Sequence, residues 1–144
     1  MKRFAIILFI TLTMFSVSPP THAESDGEFQ HISPTEVKNR IENGAFMTIL
    51  DIQVKDEYDK HHIVGALASY AYPVKSDADR AKLDVVMEKL TAEDDPIIIV
   101  CPRGGGGAKR TWQYLSSKGL STNRMYILEN GQGGWPYPDL LASN

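Results

Sequence analysis

The sequence predicts an α/β fold in which a central, mainly parallel sheet is flanked by helices. Two observations predict it. Short apolar runs of strand length, at residues 46–51, 97–100 and 125–128, are separated by longer segments whose apolar residues recur at helical spacing. The two kinds of segment alternate along the chain, and such alternation builds βα units whose parallel sheet is covered on both faces.

The chain opens with the basic pair Lys2 and Arg3, and residues 4–17 are apolar apart from threonines and a serine. Pro19 and Pro20 break that stretch, and Thr21-His22-Ala23 offers a small-residue cleavage site. The segment is too short to span a bilayer and reads as a signal peptide over residues 1–23, cut after Ala23. The expected product is periplasmic or secreted, with no membrane anchor after cleavage. Residues 24–31 read as a flexible lead-in, 32–141 as one domain, and 142–144 as a short tail.

Each element has its own signals. Ser33-Pro34-Thr35-Glu36 is a capping box with proline at the first helical position, predicting a helix over 34–43 that ends at Gly44. Residues 46–51 form a strand ending in Asp51. The charged segment 55–60 reads as a solvated helical turn, and 67–72 as a further strand. Ser76 opens a longer helix whose Leu83, Val86, Met87 and Leu90 share one face. Residues 97–100 are a buried strand, followed by a glycine loop and a helix with Ala108, Trp112 and Leu115 as its inner stripe, ending at Gly119. After the strand at 125–128, the dense glycines Gly131, Gly133 and Gly134 mark a second irregular loop, and Trp135 beyond them is assigned to the core.

The chain's only cysteine, Cys101, follows the 97–100 strand, and the glycines Gly104, Gly105, Gly106 and Gly107 separate it from the next helix. A helix start leaves N–H groups without partners and favours an anion, and glycines let neighbouring N–H groups turn inward around it. The position therefore suits a nucleophilic thiolate. An exported chain with one cysteine cannot use it in an internal disulfide, which also points to a working thiol. Asp51 and Cys101 both fall at predicted strand ends, the edge of a parallel sheet where ligands bind.

Other chemistries are excluded or weakened. A formal net charge of −3, more negative still without Lys2 and Arg3, argues against nucleic acid and anionic membranes. His61 and His62 have no further ligand set at metal spacing, so no metal site is expected, and His62 reads as a structural hydrogen-bonder.

The residues resemble the rhodanese-like sulfurtransferase domain. Cys101-Pro102-Arg103-Gly104-Gly105-Gly106-Gly107-Ala108 is similar to that family's active-site loop. Leu50-Asp51-Ile52, Glu57-Tyr58 and His62-Ile63-Val64-Gly65-Ala66 resemble its upstream signature, and Leu128-Glu129-Asn130-Gly131 with Trp135 its C-terminal one. The resemblance implies a three-layer domain and transfer of a sulfane sulfur, from a donor such as polysulfide or thiosulfate, through a Cys101 persulfide. It implies binding by Arg103, Gly104, Gly105, Gly106, Gly107 and Ala108, with Asp51, His62 and Trp135 in support. Asp51 is expected to orient the loop backbone or Arg103.

The implied partners are small sulfur anions as donors and a thiol, cyanide or a protein cysteine as acceptor. No cofactor is needed, and a monomer or small homo-oligomer is expected. The chain departs from the family pattern at Gln53 and Gly106, where arginines are common. A loop with so few side chains predicts an open pocket, suited to polysulfide. The alternatives are a non-catalytic rhodanese-like binding module or a sulfur carrier for a partner protein. Phosphatase or arsenate-reductase chemistry is disfavoured, because the position of its anion-clamping arginine holds Gly107.

Overall fold

A computed structural model describes residues 29–144. The expected signal peptide, its cleavage site and residues 24–28 of the lead-in lie outside the described residues.

The first strand, β1 (His31–Ile32), leads into helix α1 (Pro34–Glu42). The Ser33 side chain accepts from the Glu36 N–H, while the Glu36 carboxylate turns to Arg40 rather than back to Ser33, so only half of the capping box forms. Strand β2 (Thr48–Asp51) is shorter than the apolar run predicts. Its ladder starts where the Thr48 N–H donates to the Pro96 carbonyl, and Phe46, before that point, is 82% exposed. Helix α2 (Lys55–Lys60) is the short charged turn expected.

Strands β3 (His62–Ile63) and β4 (Leu67–Ala68) follow. The predicted strand at 67–72 ends early because Tyr70 adopts a left-handed conformation, with φ of 57°. The chain still runs beside β2, as the Tyr72 N–H donates to the Ile52 carbonyl. Helix α3 (Asp77–Ala92) carries a complete capping box between Ser76 and Asp79 and buries Leu83, Val86 and Leu90, with Met87 at the margin. Strand β5 (Ile97–Val100), helix α4 (Gly106–Ser117), strand β6 (Met125–Leu128) and strand β7 (Leu141–Ala142) complete the chain.

The main sheet has the order β1-β6-β5-β2-β4 with every neighbouring pair parallel. Successive residues of a strand point to opposite faces, and β5, at the centre, sorts the core in this way. Ile97 and Ile99 pack with Leu83, Leu90, Ala108 and Leu115 of α3 and α4. Ile98 and Val100 pack with Val37 of α1 and with Trp135 on the other face. The alternation carries on to Cys101, which lies on the α3 and α4 side.

Both ends of the domain extend further than expected. Phe29 packs edge-to-face on Trp112 and the Gln30 side chain donates to the Thr122 carbonyl, so residues 29–31 belong to the fold rather than to a lead-in. At the other end, β7 pairs antiparallel with β3, and the Asn144 N–H donates to the Asp59 carbonyl. The residues expected as a tail are thereby tied down.

Ile99 is fully buried in the central strand. Ile99→Ala should lower unfolding free energy by roughly 3 kcal/mol through lost burial and an uncollapsed cavity, measured as a shift in urea midpoint at constant slope.

Candidate functional site

The site is built where two irregular loops meet at the carboxyl ends of β5 and β6. After Cys101 the chain bends through Pro102, Arg103 and Gly104, and Gly105 caps α4. Of the glycines predicted to form the loop, Gly106 and Gly107 are instead the first residues of the helix. Gly104 has φ of 67°, and a methyl group there would come within 2.8 Å of the Asn130 nitrogen. Gly131, with φ of 59°, lies against the Cys101 carbonyl and the Gly104 nitrogen, where a methyl group would overlap both.

The two loops are therefore packed backbone on backbone. Gln132 donates its N–H to the Cys101 carbonyl at 2.8 Å and Gly133 donates to the Pro102 carbonyl at 2.9 Å. Lys109 is the first helical residue whose N–H turns back, to the Gly105 carbonyl. The N–H groups of Arg103, Gly104, Gly105, Gly106, Gly107 and Ala108 have no protein acceptor among the described residues. That run of free donors at a helix start is the arrangement that binds an anion.

Cys101 is a free thiol, 1% exposed, in the wall of a cavity of about 110 Å³ lined also by Tyr72, Arg103, Gly105, Gly106 and Gly107. The volume suits a small inorganic anion rather than an organic ligand of drug size. The Tyr72 ring would lie 2.9 Å from a methyl group on Gly107, so an aromatic wall from across the sheet stands where loop side chains are missing.

The residues expected to support the loop lie elsewhere. The buried Asp51 carboxylate accepts the Gln53 N–H at 2.8 Å and the Gln53 side-chain amide at 3.0 Å; among its hydrogen bonds is none to Arg103 or the Cys101 loop. Gln53, buried in turn, also approaches the His61 carbonyl and closes the corner between β2 and α2. His62 lies flat on Tyr58, ring centroids 3.8 Å apart, with Nδ1 2.8 Å from the Tyr58 carbonyl oxygen. Trp135 packs in the cluster on the α1 face and donates its indole N–H to the Tyr137 carbonyl. None of the three lines the cavity, whereas Arg103, Gly105, Gly106 and Gly107 do.

Two residues near the cavity were not singled out from the sequence. Tyr72 lies inside the predicted 67–72 strand, and Arg110 lies beyond the glycine loop in the following helix. In the structure Arg110 Nε and Nη2 both donate to the Pro73 carbonyl, at 2.9 and 2.8 Å, from one turn beyond Gly106. The spacing of a long side chain four residues after a helix-start glycine was the available signal, because helical side chains lean toward the N-terminus.

Comparison with known proteins gives a consistent result. A family model for the rhodanese-like domain matches residues 33–136. No curated protein sequence matches significantly. Among solved structures, the rhodanese-like domain of an Anabaena sp. protein is 21% identical with a TM-score of 0.58, covering 81% of each chain. A thiosulfate sulfurtransferase from Pseudomonas aeruginosa is 22% identical with a TM-score of 0.58, over 80% of this chain and 20% of that one. An As-Sb reductase from Leishmania major is 19% identical with a TM-score of 0.57, over 81% of this chain and 86% of that one. At these identities the structures share the fold.

Burial pushes the Asp51 carboxyl up from its ordinary value, while the Gln53 donors and the charges of His62 and His61 pull it down by less. An acid whose folded pKa is raised binds more protons folded than unfolded, so its ionisation costs stability at neutral pH and the cost vanishes on acidification. Asp51→Asn, which keeps an acceptor for the Gln53 N–H, should be more stable than the parent at pH 7. Denaturant titrations should show that advantage shrinking as pH falls toward about 4, the ordinary carboxyl value. Gly131→Ala should cost at least about 3 kcal/mol in the same assay, since it combines a left-handed φ with overlap at the Cys101 carbonyl.

Proposed function

Because the chain belongs to the rhodanese-like domain family, we propose that it is a sulfurtransferase that carries a sulfane sulfur as a persulfide on Cys101. The observation that supports this most is the free cysteine in a small cavity beside N–H groups, from Arg103 to Ala108, that no protein acceptor uses among the described residues.

The reaction has two balanced half-steps. The Cys101 thiolate attacks the outer sulfur of a donor, and the donor's S–S bond breaks with its electron pair leaving on the remainder. With thiosulfate that remainder is sulfite; with polysulfide it is a chain shorter by one sulfur. The new persulfide is an anion at the start of α4, stabilised by the free amides. An acceptor nucleophile, which is cyanide, a thiol or a protein cysteine, then attacks the terminal sulfur and the Cys101 thiolate departs.

Only a thiolate and anion stabilisation are required; Cys101 would supply the first and the loop amides the second. Export through the 1–23 segment belongs to the same reading, placing the thiol where small sulfur anions are met outside the cytoplasm.

A binding module without chemistry shares the fold. The cavity beside Cys101 and the unused donors favour transfer over it, as neither serves packing. Arsenate-reductase or phosphatase chemistry is opposed by Gly107, since the Tyr72 ring occupies the space that an arginine from that position would need.

The test is intact mass of the mature protein after thiosulfate or polysulfide without reductant. The parent should gain the mass of one sulfur atom, reversed by cyanide, and Cys101→Ser should gain none. No adduct on a thiol shown to be free and alkylatable would sink the assignment in favour of the binding module.

A further inference from the structure

The charge pairing around the cavity is uneven. Among the described arginines, Arg40, Arg80 and Arg124 each face a carboxylate, at 3.0, 2.8 and 3.8 Å. Arg103 and Arg110 have no carboxylate partner among the described residues; Arg103 lines the cavity, and Arg110 lies over Gly106, which also lines it. In a chain of net negative charge, two cations without carboxylate partners, one in the loop and one in the helix it opens, favour a local positive site.

Arg110 is held in a defined place. Its Nε and Nη2 grip the Pro73 carbonyl, next to the Tyr72 ring that walls the cavity. Its Nη1 lies over Gly106, 2.8 Å from where a methyl group would stand, and has no acceptor among the described residues. Gly106 thus makes room for a guanidinium that arrives from the next turn of α4. Two donors fix the plane and the third nitrogen is left free over Gly106, so the group is oriented before any ligand arrives.

We infer that Arg110 is a specificity-determining residue, whose Nη1 receives the anionic end of a sulfur donor while its outer sulfur reaches Cys101. This rests on the sulfurtransferase reading for its substrate, but the anion site itself does not need turnover. Arg103 lines the cavity and faces the same ligand, and the amides of the loop hold the sulfur end. The Pro73 carbonyl acts as a brace, and Gly106 and Arg110 work as one unit across a helical turn.

Two readouts test this without sulfur transfer. In the Cys101→Ser background, calorimetric titration should show thiosulfate binding that Arg110→Gln weakens roughly tenfold or more, as expected for a lost charge-assisted contact, and that Arg110→Lys weakens less. With Cys101 present, Arg110→Gln should slow alkylation by anionic iodoacetate several-fold relative to neutral iodoacetamide, an effect that mere bracing of Pro73 would not produce. Unchanged thiosulfate affinity, absence of thiosulfate binding before the Arg110 change, or an unchanged ratio of the two alkylation rates would overturn the inference. Failure of Cys101 to form a persulfide, with both readouts as expected, would instead remove the sulfurtransferase reading and leave the anion site standing.

Discussion

The structure of the site depends on one contact, the packing of the Gly131 backbone against the Cys101 and Gly104 backbones. With no side chain between them, the loops after β5 and β6 approach closely enough for the Gln132 and Gly133 N–H groups to take the Cys101 and Pro102 carbonyls. A peptide unit has its carbonyl and N–H on opposite sides, so holding the Pro102 carbonyl toward Gly133 leaves the Arg103 N–H turned away from that contact. Donors without partners are costly where neither solvent nor a ligand reaches them. Here they are tolerated because the two-loop contact holds them and because the cavity admits solvent or an anion.

The parallel sheet places that contact. Strands β5 and β6 are neighbours in register, Ile99 opposite Ile127, so their carboxyl ends stop together and their outgoing loops collide above the same edge. The apolar faces then decide which way Cys101 points. Because Ile97, Ile99 and Cys101 share the α3 and α4 side, the thiol falls beside the start of α4 rather than beside α1. A shift of one residue in β5 would carry it to the opposite face and away from the amides.

The sheet, the main helices and the identity of Cys101 were legible in the sequence because they rest on local signals: apolar period, caps and glycines. Helix α3 shows this, with its capping box and its Leu83, Val86 and Leu90 face. What was not legible depends on pairing between distant segments. The β3 and β7 pair joins residues 62–63 to 141–142, and neither run has a strand pattern of its own. Tyr70 turns left-handed inside the segment expected as a continuing strand, and beyond it the Tyr72 ring lies against Gly107. Asp51 is buried as expected at a strand end, yet its partner is Gln53, two residues on, since a carboxylate takes the nearest buried donors available.

The glycines at positions 106 and 107 show how a loop depleted of side chains need not be featureless. Each missing side chain leaves space that another element fills: the Tyr72 ring at Gly107, and the Arg110 guanidinium at Gly106. Both come from outside the short loop, one from the segment after β4 and one from the second turn of α4. Side chains anchored in this way are less free than those on the loop itself, because Arg110 is gripped by the Pro73 carbonyl and Tyr72 precedes that same proline. The cation therefore grips the carbonyl of the residue that follows the aromatic wall along the chain. The cavity's surroundings are thus set in part by residues that the loop sequence alone does not contain.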